Sequence, residues 1–176
     1  MSSTPPLDPS EHCSDPICSV KNLVKLQGGE YIALERLEMS YKTSHYVANL
    51  CVHATSESQK PIAILFPHEV HLRQALAANA GLPAPDTDIH ELCKDAAVRE
   101  FYLRELQTIA KKNGFKSIEV VQGVVLTPDE WTPESGLVTA AQKVQRKAVE
   151  KKFLDEIQVR FLGVGVVVVV VVHDPG

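Results

Sequence analysis

The sequence predicts an α+β domain, a small mixed sheet of about three strands with covering helices. Three observations lead there. Short runs rich in β-branched and aromatic residues at Val47–His53, Ile62–Phe66 and Ile118–Val125 have the length and composition of strands. Other segments carry apolar residues three and four positions apart, the spacing of an amphipathic helix. The two kinds of segment interleave along the chain, which builds layers rather than a helix bundle or a β-sandwich.

Taken in order, Leu23–Leu26 is a short strand candidate, and Gln27–Glu30 is a turn because paired glycines admit positive φ without steric cost. From Ala33 to Thr43, Leu34, Leu37 and Tyr41 lie on one helical face. Val47–His53 and Ile62–Phe66 follow as strands, with Pro61 opening the second and the polar stretch 54–60 suited to a hairpin-like connection. His68–Ala80 reads as a helix closed by Gly81 and Pro83. Ile89–Asn113 reads as one long helix, with Val98, Phe101, Tyr102, Leu106, Ile109 and Ala110 on a common face and Asn113-Gly114 as the stop. Ile118–Val125 is the third strand candidate, and Thr127–Gly136, rich in Pro, Thr and acid, is expected to be an exposed loop. Arg146–Ile157 is the last helix, striped by Val149, Phe153 and Ile157.

The organisation expected is a Pro/Ser/Asp-rich leader at 1–20, a globular part at 21–158 and an apolar tail at 159–176. That tail contains seven successive valines, Val166–Val172. The run is too short for a spanning helix, which takes about 20 apolar residues, and poly-valine favours strand over helix. Composition is that of a globular chain, 44% apolar and 23% charged. A net charge of −4 supplies no basic field for nucleic acid. The four cysteines, Cys13, Cys18, Cys51 and Cys93, are irregularly spaced, unlike a disulfide scaffold. Residues 1–19 also lack the basic-then-apolar pattern of a secretory leader. Reduced thiols in an intracellular protein are therefore expected.

Chemistry-bearing candidates are few. The turn Gln27-Gly28-Gly29-Glu30-Tyr31-Ile32 lets backbone approach a ligand closely, although a plain strand-to-helix turn uses the same glycines. It is neither a phosphate-binding loop with a following Gly-Lys-Ser/Thr nor a dinucleotide fingerprint. Lys143 precedes a basic helix and is a compact charge able to reach an anion; a solvated surface lysine has the same signature. The basic stretch Lys143–Lys152 is interrupted by Glu150, as a solvated helix face would be. His68 and His71, three apart, lack a third ligand at metal-site spacing.

Several long segments resemble one family in one order. They are Lys21-Asn22-Leu23-Val24-Lys25-Leu26-Gln27-Gly28-Gly29-Glu30-Tyr31-Ile32-Ala33-Leu34-Glu35-Arg36-Leu37-Glu38, then Pro61-Ile62-Ala63-Ile64, Glu91-Leu92-Cys93-Lys94-Asp95, Gly123-Val124-Val125-Leu126-Thr127-Pro128-Asp129-Glu130-Trp131-Thr132-Pro133 and Gly136-Leu137-Val138-Thr139-Ala140-Ala141-Gln142-Lys143-Val144-Gln145-Arg146-Lys147. This pattern resembles the C-terminal lobe of fungal-type long-chain acyl-CoA synthetases, members of the adenylate-forming enzymes. The resemblance implies a lobe that rotates between two half-reactions: ATP-dependent activation of a long-chain fatty acid to its adenylate, then capture by coenzyme A. It implies that Lys143 enters the site for adenylation, with Arg146 as a supporting cation. Gly28, Gly29, Glu30 and Tyr31 would border the path of coenzyme A in the thioester step.

By the same resemblance, ATP, coenzyme A and magnesium are the family's substrates and cofactor, and an N-terminal adenylation domain is the partner that holds them. Neither nucleic acid nor a metal site of the lobe's own is implied. The family's location is intracellular, in the cytoplasm or on the cytosolic face of endoplasmic reticulum, lipid droplets or peroxisomes, with membrane association through the intact enzyme. The sequence departs from the family before Asn22, where Ile17-Cys18-Ser19-Val20-Lys21 replaces the Ile-Asp-Arg-Lys-Lys-type hinge run. The chain by itself is expected to be inactive. The alternative is a non-catalytic lobe that at most docks on a full-length synthetase.

Overall fold

The computed structural model describes residues 23–161. The leader at 1–20, with Cys13 and Cys18, and the valine run lie outside the described residues. A two-stranded hairpin comes first: β1 (Leu23–Lys25) pairs antiparallel with β2 (Tyr31–Ala33), Val24 opposite Ile32. The chain passes from Ala33 straight into α1 (Leu34–Tyr41). The sequence reading put Tyr31 and Ile32 in the turn; the structure pairs them in a strand, because Ile32 is buried on the inner face while Tyr31 points outward.

The main sheet holds β3 (Val47–His53), β4 (Ile62–Pro67) and β5 (Gly123–Leu126) in the order β3-β4-β5. β3 and β4 are antiparallel, joined by the polar connection anticipated from the sequence, with Cys51 opposite Ile64 and a register shift between Val47 and Asn49. β4 and β5 are parallel, Ile62 beside Gly123 and Ile64 beside Val125. A parallel pair needs a crossover. It consists of α2 (Glu69–Ala78), α3 (Ile89–Lys94) and α4 (Ala96–Lys112). The chain ends in α5 (Arg146–Lys152) and α6 (Leu154–Phe161).

β4 is apolar along its length because both of its faces are covered. Ala63 and Leu65 join Leu50, Val52 and Val124 in a core against Leu37 and Tyr41 of α1 and Val98, Tyr102 and Leu106 of α4. Ile62 and Ile64 face the other way, with Cys51 and Val125, onto Trp131, Leu137, Val138, Val149, Phe153 and Ile157. The sheet therefore separates two hydrophobic cores. No helix among the described residues is long and apolar enough to cross a membrane.

Four segments differ from the sequence reading. The long helix expected over 89–113 is two, because Asp95 adopts an extended conformation and its carboxylate accepts the N–H groups of Ala97 (2.7 Å) and Val98 (3.2 Å), capping α4. The strand expected from Ile118 starts only at Gly123. Glu119 takes that stretch into a turn: its carboxylate accepts from Lys116 N–H (2.8 Å) and Arg36 (2.9 Å), and its carbonyl from Tyr41 Oη (3.3 Å). These bonds satisfy the backbone locally and outcompete β propensity. The loop 127–136 is present, yet Trp131 within it is only 2% exposed and plugs the second core. A turn at Phe153 divides the last helix, while Phe153 N–H still donates to Val149 O and Ile157 N–H to Phe153 O, so the buried stripe runs through unbroken.

Candidate functional site

Lys143 sits on a tight turn built by the residues around it. Val138 and Val144 form an antiparallel bridge. Thr139 N–H donates to Lys143 O (2.9 Å), and Gln142 N–H donates to Thr139 O (2.8 Å). A β-turn followed by one left-handed residue is thus enclosed in a three-residue hairpin loop, 140–142. The left-handed residue is Gln142, φ 58°, the one non-glycine residue with positive φ among the described residues. Lys143 N–H donates to the Thr139 hydroxyl (3.2 Å), which ties the lysine backbone back to the start of the turn. Leu137 and Val138 are buried below, so the turn is rooted in the second core. The Lys143 side chain is exposed and, among the described residues, makes no ion pair. A flexible ammonium on a stiff base can reach outward to an anion.

Gly28 to Tyr31 form the second expected segment, on the β1–β2 hairpin. Leu26 N–H donates to Glu30 O (2.8 Å) and Gly29 N–H to Leu26 O (2.9 Å), closing the turn. Gly29 has φ 81°, a conformation that disfavours any side chain, whereas Gly28 has neither positive φ nor a neighbour that a Cβ would meet. Gln27 N–H donates to Ser58 O (3.1 Å), linking this turn to the β3–β4 connection. Tyr31 is 62% exposed. An open groove of about 460 Å³ runs beside the turn, lined by Leu26, Gln27, Gly28, Glu30, Gln59 and Ile118.

Arg146 faces inward. Its side chain is 19% exposed and that of its partner Glu38 11%. Nη1 lies 2.9 Å from Glu38 Oε1, and Nη2 donates to Oε2 at 3.1 Å, a forked pair. Arg146 Nη1 also donates to Val52 O at 2.5 Å, and Glu38 Oε1 accepts from Val52 N–H at 2.7 Å. The two side chains thereby occupy both backbone groups of Val52 on the outer edge of β3, where a further strand would otherwise pair. Burial opposes the guanidinium charge, but Cys51, Glu38 and Glu150 around it prevail and the Arg146 pKa is raised. Burial also pushes the Cys51 thiol up to about 12, so it is un-ionised at neutral pH and no nucleophile. Cys51 and Cys93 are both buried free thiols.

Among the described residues, no hydrogen bond or ion pair joins the Lys143 turn to the Gly28–Tyr31 turn directly. Sequence reasoning missed two contributors, Glu38 and Gln142. Glu38 stands on the buried side of α1 beside Leu34, Leu37 and Tyr41, where an acid signals a partner, but the partner 108 residues away is invisible to spacing. No group of three or more His, Cys, Asp and Glu residues able to hold a metal occurs among the described residues; the His68 and His71 ring centroids lie 4.4 Å apart with the rings tilted by 42°.

The resemblance to fungal-type long-chain acyl-CoA synthetases is borne out by comparison with known proteins. Long-chain-fatty-acid–CoA ligase 1 of Schizosaccharomyces pombe is 47% identical over 141 residues, covering 80% of this chain and 21% of the relative. Long-chain-fatty-acid–CoA ligase 4 of Saccharomyces cerevisiae is 40% identical over 129 residues, covering 73% of this chain and 18% of the relative. The chain is a homologue of part of the fungal long-chain-fatty-acid–CoA ligases. It spans about a fifth of the length of the curated ligases it matches. No protein-family model matches it. The ligase homologue also aligns with the adenylation domain of a carboxylic acid reductase from Segniliparus rugosus, solved with AMP, at TM-score 0.64 and 28% identity over 80% of this chain and 20% of that one. The corresponding reductase domain of Mycobacterium chelonae shares the fold at TM-score 0.66 and 24% identity, covering 82% of this chain and 20% of that chain.

Proposed function

We propose that this chain is the mobile C-terminal lobe of a long-chain fatty acid–CoA ligase and that Lys143 is its adenylation residue. The observation that carries the reading is the exposed ammonium of Lys143, without an ion pair among the described residues, on a hairpin turn rooted in the core of a chain 47% identical over 141 residues to one of these ligases. A fatty-acid carboxylate attacks the α-phosphorus of ATP, and pyrophosphate leaves. The ammonium of Lys143 offsets the negative charge gathering between the two anions in the transition state. Coenzyme A then attacks the acyl carbon through its thiol, and AMP leaves. The exposed Gly28–Tyr31 turn, with its adjoining groove, suits the narrow path that a thiol-bearing chain would follow in this second step.

In this reading ATP, the acyl chain and magnesium are held by an adenylation domain supplied by the rest of the enzyme, so the chain alone forms no acyl-CoA. Its setting is intracellular, on the cytosolic face of the membranes where long-chain acyl-CoA is used, with membrane association through the rest of the enzyme.

The test is reconstitution. The purified chain is assayed for palmitoyl-CoA and pyrophosphate from palmitate, ATP and CoA, alone and with the separate large domain of a relative. No product alone and adenylation on mixing are expected, with Lys143→Ala lowering the adenylation rate about 10²-fold, the scale for loss of one transition-state donor. Product from the chain alone, or full adenylation by Lys143→Ala, would refute the proposal.

A further inference from the structure

We propose that the Glu38–Arg146 pair is a positioning latch for Lys143, holding the root of its turn on α1 and on the outer edge of β3. The role of Lys143 in adenylation, on which the latch's purpose rests, is the reading given above.

Connectivity comes first. Arg146 is the first residue of α5, three after Lys143, so whatever fixes Arg146 fixes the outgoing end of the lysine turn. Glu38 is on α1, which follows directly from β2 and therefore from the Gly28–Tyr31 turn. One ion pair ties together the helices leading to both candidate segments, although no direct contact does.

Geometry comes second. A lone surface ion pair sets little, because two long side chains share many arrangements. Here the fork is nearly buried and each partner is also bonded to the backbone of Val52, in a strand that cannot move without disturbing both cores. Forked guanidinium–carboxylate geometry fixes orientation as well as distance. Two burials of charge are costly and add little net stability by themselves. What an apolar pair of similar size could not supply is the bonding to both backbone groups of Val52, which fixes where the two helices sit on this edge.

Need comes third. The turn contains a left-handed Gln142, a conformation that surroundings must enforce in a non-glycine residue. Its own hydrogen bonds hold the loop closed, and Leu137 and Val138 seat its base in the second core; the Arg146 fork adds a fixed orientation to the outgoing end. Aim is decisive for a group acting at a distance, since misplacement by about 1 Å is enough to cost 10²-fold in rate.

Hydrogen exchange on the 176-residue chain tests this, comparing wild type with Arg146→Ala, Arg146→Lys and Glu38→Gln. Arg146→Ala is expected to speed exchange at Thr139, Gln142 and Gln145 at least tenfold while β4 and α4 amides stay within threefold. Arg146→Lys, which keeps the charge but not the fork, is expected to fall between, and provides the comparison if Arg146→Ala fails to fold. Unchanged exchange at 139–145, or an equal rise in β4 and α4, overturns the latch. In the reconstituted assay, Arg146→Ala is expected to lower the adenylation kcat at least tenfold with KM for the fatty acid within twofold, and to have no further effect on a Lys143→Ala background. An additive loss on that background overturns the latch as a device acting through Lys143. If exchange is loosened locally but Lys143→Ala leaves adenylation intact, the latch stands and the reading of Lys143 falls.

Discussion

Gln142→Gly is expected to stabilise the protein, an unusual outcome for a glycine substitution. At most positions glycine destabilises by roughly 0.5–1 kcal/mol, because the unfolded chain gains freedom. Gln142 has φ 58°, where a side chain costs about 1–2 kcal/mol through the clash of Cβ with the following carbonyl. Removing that clash outweighs the entropic loss by about 0.5–1 kcal/mol. The gain registers globally because the turn stands on Leu137 and Val138, both buried in the second core. Trp131 is the single tryptophan of the chain and packs in the same core, so its fluorescence reports the unfolding of this region directly. In urea titrations Gln142→Gly is expected to raise the midpoint at unchanged slope. Gln142→Val, β-branched at the same φ, is expected to lower it by more than glycine raises it. A lower midpoint for Gln142→Gly, or wild-type stability for Gln142→Val, would refute the claim that the residue before Lys143 is held in a strained conformation.

Asp95→Ala removes the carboxylate that accepts from Ala97 and Val98, and is expected to cost about 1 kcal/mol in urea unfolding; Asp95→Asn retains the cap and most of the stability. Cys51 gives a prediction about alkaline pH. Its folded thiol titrates near 12 against an ordinary 9.0, so between those values the folded protein keeps a proton that the unfolded chain has released. Stability must then fall as pH rises through that window, by about 1.4 kcal/mol per pH unit for this group. Urea midpoints between pH 9 and 11 are expected to decline less steeply in Cys51→Ala, and an identical slope would show that Cys51 is not the responsible thiol.

Legibility in the sequence followed the range of the interactions involved. Val47–His53 and Ile62–Phe66 were readable because a strand buried on one or both faces is apolar in its own right. The stripe Val149, Phe153 and Ile157 was readable because helical period is a local property, and it survives even the turn at Phe153. Two misreadings share one cause, a polar side chain meeting backbone: Asp95 divides a helix by capping and Glu119 bends a strand-like run. A third is of another kind, since Ile32 enters a strand by pairing with Val24 across the hairpin. At the candidate site, Lys143 and the Gly28–Tyr31 turn were singled out by resemblance, since their residue types alone fit any surface loop. Gln142 was passed over because glutamine is no turn signal: Gly or Asn is the usual left-handed residue of such a hairpin. Arg146 was singled out by resemblance as a supporting cation, and its bonds to Glu38 and Val52 were beyond the reach of the sequence because both partners lie more than ninety residues away.

On the proposed reading of this chain as a mobile lobe, these features bear on how it could serve two chemical steps. β4 is the shared wall of the molecule: Ala63 and Leu65 belong to one core, Ile62 and Ile64 to the other. Any shift of the Lys143 turn that dragged Val138 or Leu137 would press on Ile62 and Ile64, and through the close-packed strand on Leu65 and the helices beyond. The Val52 edge adds a second constraint, tying α1 and α5 to β3. Internal rearrangement between adenylation and thioester geometry would have to break a nearly buried ion pair and both cores together. Rotation of the lobe as one body breaks none of these, which makes a rigid turn about a hinge the cheaper way to exchange the Lys143 turn for the Gly28–Tyr31 turn at a common site.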